Sequence, residues 1–156
     1  AQVAHFIAGG GVAHVLDPLR LARDRAGAVA EALALAEAQL PSGPVLIYST
    51  AEPMAVAAVQ AQLGTEGAGA LVEQALAEVA QGLLRLGVRQ LVVAGGETSG
   101  AVVQALGVRQ MQIGPQIDPG VPWCHAFGND GPLHLALKSG NFGSDDFFTK
   151  AFAQLA

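Results

Sequence analysis

A chain of 156 residues, 51% hydrophobic and 13% charged, is the size of one α/β domain and can build a core without staples. A net charge of −5 and only two lysines, Lys138 and Lys150, speak against nucleic-acid or anionic-membrane partners, which select clustered cations. The lone Cys124 excludes an internal disulfide, and no Cys/His spacing fits zinc. With no stretch near the ~18 uninterrupted apolar residues of a membrane helix, the expected location is cytoplasmic.

The opening AQVAHFI reads as the tail of a helix, and with Ala rather than Met in first place we expect the C-terminal part of a longer protein. Val12 to Leu16 is a candidate strand. Asp17 and Pro18 are a good cap and first-turn pair for an Ala-rich helix running towards Leu40, ended by Pro41-Ser-Gly-Pro44. A buried strand should follow at 45–48, then a short helix over Met54 to Gln62 closed by Gly64. Glycines 64, 67 and 69 suggest a flexible loop.

From Ala70 the residues Val72, Ala75, Leu76, Val79, Leu83 and Leu86 recur at helical spacing, with Gly87 as the stop. Gln90-LVVA-Gly95 is the next strand, GETSG a turn, and Ala101 to Leu106 a short helix. Met111 to Ile113 suggests another strand, IDPGVPW a loop rich in turn residues, Leu133 to Leu137 a last strand, and the segment from Asp145 to Leu155 a terminal helix. Short β-branched runs alternating with Ala/Leu-rich helices predict α/β: one three-layer domain over 1–156, with a mostly parallel sheet flanked by helices.

The strongest local motif is LVVAGGETSGAVV, a buried strand passing through glycines into a helix whose first residues include Thr98 and Ser99. Gly95 and Gly96 would let backbone approach a phosphate, and the unpaired N–H groups of a helix start favour an anion. A plain strand-to-helix turn with a Ser/Thr cap fits the same residues. The motif matches neither Walker A nor the dinucleotide fingerprint. A second loop of this design, LALKSGNFGSDDFF, has Gly140 and Gly143 around Asn141, with Lys138 just before it. In an open parallel sheet both loops would line one crevice beyond the carboxyl ends of the strands, with Lys138 as a phosphate-facing charge. Lys138 as a surface lysine and Asn141 as a left-handed turn residue remain open alternatives.

Glu97 would repel phosphate unless a cation such as magnesium lies between them or its side chain points away. Asp145 and Asp146 at a helix start are explained by capping and the helix dipole. Histidines 5, 14, 125 and 134 show no ligand spacing and read as structural, so the expected metal set within this chain is none.

LVVAGGETSGAVVQALGV, then IGPQIDPGVPW, then LALKSGNFGSDDFF, resembles in order and spacing the C-terminal nucleotide-binding domain of the four-carbon acid sugar kinase family, which includes 3-oxo-tetronate, D-threonate and D-erythronate kinases. The resemblance is densest from Leu91 to Phe148. It implies that Gly95, Gly96, Glu97, Thr98, Ser99 and Gly100 form one ATP-contacting loop and that Gly140 in KSGNFG, the stretch with Lys138, Ser139, Asn141 and Gly143, contributes another contact. It further implies ATP with Mg2+ as cofactor and a small sugar-acid substrate held with an N-terminal domain, so that no residue here is the catalytic base. A homo-oligomer is expected from the apolar composition. A non-catalytic ligand-sensing domain of α/β fold is the competing reading.

Overall fold

A computed structural model describes residues 2–49, 53–139 and 143–155. Five helices and six strands succeed one another: α1 (Gln2–Ala8), β1 (Val12–Leu16), α2 (Pro18–Gln39), β2 (Val45–Ser49), α3 (Pro53–Arg85), β3 (Gln90–Ala94), α4 (Gly96–Leu106), β4 (Gln110–Asp118), β5 (Val121–Gly128), β6 (Gly131–Lys138) and α5 (Phe147–Leu155). The α/β class and the flanking helices are as the sequence pattern predicts.

The strands form two sheets. β1 and β2 pair in parallel, Val12 opposite Val45 through Leu16 opposite Ser49. The second sheet has the order β3-β6-β5-β4, with β3 and β6 parallel and the other two pairs antiparallel. The antiparallel part arises where a loop was expected. IDPGVPW is the corner of a hairpin: Asp118 ends β4, Gly120 turns at φ 81°, and Val121 begins β5. Residues 110–116 of β4 are exposed, which removes the apolar alternation that advertises a strand.

Helix ends follow their local chemistry. The Asp17 carboxylate accepts from the Leu19 N–H at 3.0 Å, and Pro18 occupies the first helical position. α2 is kinked at Asp24 (φ −154°, ψ 75°), whose Oδ1 accepts from the Gly27 N–H and recaps the second half. α3 ends in a paired arrangement at Gly87: the Val88 N–H donates to the Leu83 carbonyl and the Gly87 N–H to that of Leu84. Gly64 (φ 78°) breaks α3 where the sequence predicts a helix end, but glycines 67 and 69 lie in helix rather than in a loop. Glycine costs a helix only about 1 kcal/mol, less than the packing of Val79, Leu83 and their neighbours returns.

Three apolar clusters hold the layers together. Leu16, Leu21, Val29, Ala32, Ala75 and Val79 join α2 and α3 to the first sheet. Leu84, Val93, Val102, Leu106, Leu133 and Leu135 fix α3 and α4 to one face of the second sheet. On its opposite face Trp123, Val121, Ala136, Phe147, Phe148 and Ala151 seat α5, with Phe6 of α1 beside them.

Candidate nucleotide-binding site

The two glycine motifs follow adjacent parallel strands, with Ala94 opposite Lys138 at their carboxyl ends. One hydrogen bond continues this pairing past the strands, from the Gly95 N–H to the Lys138 carbonyl at 2.8 Å. The starts of both loops are thereby side by side. Gly140 and Asn141 lie outside the described residues.

Gly95 is the cap of α4 at φ 108°, a conformation glycine adopts freely, and its carbonyl accepts from the Ser99 N–H at 2.9 Å. GETSG is therefore the first turn of the helix rather than a turn preceding it. No side chain caps this end. The early N–H groups, which an isolated helix leaves without partners, have the polarity an anion needs. A Cβ added at Gly96 or Gly100 would meet nothing within 4 Å, so space lies open against the backbone. Ser99 is buried, 9% exposed, and its Oγ has no hydrogen-bond partner. An orphaned buried hydroxyl costs roughly 1–3 kcal/mol, and none of the described residues satisfies this one. Thr98 lines a cavity of about 350 Å³ with Tyr48, Ser49 and Ala94 at the strands' carboxyl ends. A larger cavity of about 660 Å³ opens at their amino ends, away from both glycine motifs.

Glu97 is exposed, and a hydrogen bond with it is the main cause that raises the Glu73 pKa; partial burial and the Glu97 charge add to it. Two carboxyl groups thus meet beside the first turn of α4. Lys138 is deep inside, 2% exposed, with Nζ 5.6 Å from the Phe147 ring centroid. Burial lowers its pKa. Ser139 is exposed.

The far end of the second loop is anchored by Asp118, a residue that sequence spacing does not single out. Its Oδ2 accepts from the Ser144 N–H at 3.0 Å and the Ser144 hydroxyl at 3.1 Å, and its Oδ1 pairs with Lys150. Gly143 fits between them at φ 93°; a Cβ there would lie 2.7 Å from the Phe147 ring and 3.2 Å from Asp118 Oδ2. Asp146 Oδ1 lies 2.5 Å from the same Ser144 hydroxyl, so the two carboxylates share its single proton. Asp145 and Asp146 precede α5, where their charges suit the helix start.

The Lys150 and Ser144 bonds hold the Asp118 carboxyl below its ordinary range. A depressed folded pKa contributes stability above the unfolded value, about 3.9, and that contribution is lost as pH falls through the folded value. Asp118→Asn is therefore expected to lower Tm at pH 7, with the gap to the wild type closing as pH falls through the depressed folded value. Thermal melts from pH 7 to pH 2 check this; a gap independent of pH would show that the Asp118 charge contributes nothing.

Among the described residues no group of three or more His, Cys, Asp or Glu side chains could hold a metal, and no helix is long and apolar enough to cross a membrane. His125 and His134 face each other across β5 and β6, ring centroids 5.4 Å apart.

Two glycine motifs that follow adjacent parallel strands, one of them opening a helix, place the chain among α/β domains. Residues 1–148 match the family of nucleotide-binding C-terminal domains, and the chain belongs to that family. It is 59% identical over 156 residues to a 3-oxo-tetronate kinase of Pseudomonas fluorescens, covering all of this chain and 35% of the relative. It is 60% identical over 154 residues to a 3-oxo-tetronate kinase of Cupriavidus necator, covering 99% and 35%. Among solved structures, a Haemophilus influenzae protein superposes with a TM-score of 0.84 at 33% identity, covering 100% of this chain and 38% of that one. The chain thus spans about a third of the length of the curated relatives it matches.

Proposed function

We propose that this chain is the ATP-binding domain of a kinase that transfers the γ-phosphoryl group of ATP to a hydroxyl of a four-carbon sugar acid of the 3-oxo-tetronate, threonate or erythronate type. The observation that carries the reading is the start of α4. There a helix end that no described side chain caps and open space over Gly96 coincide in a chain of the nucleotide-binding family. Helix N–H groups and a hydroxyl are the donors that phosphate oxygens accept from. Gly95, Gly96, Thr98, Ser99 and Gly100 form the proposed phosphate-facing turn, and the KSGNFG stretch with Ser139, Gly140, Asn141 and Gly143 is proposed as the second contact on the strength of its sequence.

Mg2+ accompanies ATP in this proposal. A hard cation prefers carboxylate oxygens, and the Glu97 and Glu73 pair suits it. Bound there, the ion would neutralise phosphate charge and remove the conflict between Glu97 and the nucleotide. Lys138 acts indirectly: its buried ammonium, 3.4 Å from the Ser139 carbonyl and over the Phe147 ring, adds positive potential behind the loop. The sugar acid and the group that activates its hydroxyl belong to the rest of a protein of the relatives' length.

Gly96→Val is expected to weaken ATP binding at least 10-fold, because a β-branched side chain would fill the space over the backbone. Folding should change little, since that space is unoccupied by protein. Calorimetry on a mutant with unchanged circular dichroism checks this; equal affinity would remove the loop from the site. The activity itself is tested with a chain extended upstream to the relatives' length. Incubated with ATP, Mg2+ and each four-carbon sugar acid, it should give a new phosphate-ester signal by phosphorus NMR; no ester with any acceptor sinks the kinase reading.

A further inference from the structure

We infer that the gap between β2 and β3 is the seat of one more β-strand, parallel to both and apolar on both faces, supplied by polypeptide N-terminal to α1. β2 pairs with β1 and β3 with β6, so among the described residues each has one edge without a strand. Those edges face the same space. Val45, Leu46 and Ile47 line the 660 Å³ cavity opposite Gln90, Leu91 and Val92, and the 350 Å³ cavity continues it along Tyr48, Ser49, Val93 and Ala94. Both strands run the same way along it, amino ends at the larger cavity and carboxyl ends at the smaller.

The walls are those of a layered α/β core. Leu76, Val79 and Leu83 of α3 lie on one side, and Phe6, Phe148 and Val3 of α1 and α5 on the other. Parallel strands at the centre of such a sheet are covered on both faces and read as unbroken apolar runs. β2 has such a run, VLIY, yet all five of its residues are half-exposed. Unpaired backbone edges between apolar walls are costly unless another strand satisfies them.

The position of α1 selects the occupant. Val3 lies at the smaller cavity with Ser49, Ala94 and Thr98, whereas Phe6 lines the larger one, so α1 starts at the carboxyl end of the strands and runs back along the gap. After Gly9, Gly10 and Gly11 the chain enters β1. This is the course of a crossover helix that follows a parallel strand. The relatives are nearly three times as long, and the family by its description is a C-terminal domain, so in proteins of that length upstream polypeptide is available to supply such a strand. A second copy is a poorer fit. The edge strand of its four-stranded sheet, β4, is broken by register shifts and carries Pro115, which cannot donate to a ladder.

The added strand would join the two sheets into one of seven, in the order β1-β2-new-β3-β6-β5-β4, and would leave the gap beside Thr98. Hydrogen exchange on the 156-residue chain and on the chain extended upstream by the residues its gene encodes tests this, with both checked by sedimentation. Slot-facing amides within Val45–Ser49 and Gln90–Ala94 should slow by roughly 100-fold or more in a monomeric extended chain. Unchanged exchange there would overturn the inference, as would a gene that encodes nothing upstream of Ala1. Protection already present in the short chain and rising with its concentration would place a second copy in the gap, which also overturns it.

Discussion

The 156-residue chain by itself is expected to show no acceptor-dependent ADP release with ATP, Mg2+ and any four-carbon sugar acid, while a chain of the relatives' length turns over. Phosphoryl transfer depends on positioning and charge stabilisation more than on covalent participation of the protein. Holding the acceptor hydroxyl in line with the γ-phosphate is worth about 7–11 kcal/mol, or roughly five to eight orders of magnitude in rate. This chain covers about a third of the matched relatives. A coupled ADP-release assay on both chains decides the matter. Acceptor-dependent turnover by the short chain would overturn the division of labour, and equal inactivity of both would remove the kinase reading.

Trp123→Ala is expected to cost about 3–5 kcal/mol of folding stability, the range for truncating a large buried aromatic residue. Trp123 is 1% exposed, packs beside Phe152, and its indole N–H donates to the Ala151 carbonyl at 2.8 Å. The substitution removes both the packing of α5 on β5 and the partner of a buried carbonyl. Urea titration followed by far-ultraviolet circular dichroism measures the loss. Because α5 also braces Gly143 through Phe147, Trp123→Phe is the useful companion: it keeps most of the volume and isolates the hydrogen bond, with an expected cost nearer 1 kcal/mol. A Trp123→Ala cost below 1 kcal/mol would show that α5 is not seated as described.

Legibility in the sequence tracked the physics of each element. Val12–Leu16 and Val45–Ser49 stand out because parallel strands are apolar runs, and α2 declares its start through Asp17 and Pro18. Of the β4–β5 hairpin only Met111–Ile113 stands out: the rest of β4, with Gly114 and Pro115, has the composition of a loop, and pairing with β5 decides the outcome. Glycines 67 and 69 suggest a loop locally, but the packed stripe that follows extends the helix through them. In the site, Gly95, Gly96 and Ser99 are legible because a helix start after a strand is a local event. The Asp118–Ser144 anchor joins positions 26 apart in sequence, and no periodicity encodes that contact.

The central claim is that this domain itself holds adenine nucleotide at the start of α4. Isothermal titration of the 156-residue chain with ATP in the presence of Mg2+ addresses it most directly, with NAD as the control ligand, since both carry an adenosine pyrophosphate and the domain lacks the dinucleotide fingerprint. Weak, saturable, one-site binding of ATP and none of NAD is expected. No binding of ATP up to millimolar concentration, or equal binding of NAD, would contradict it.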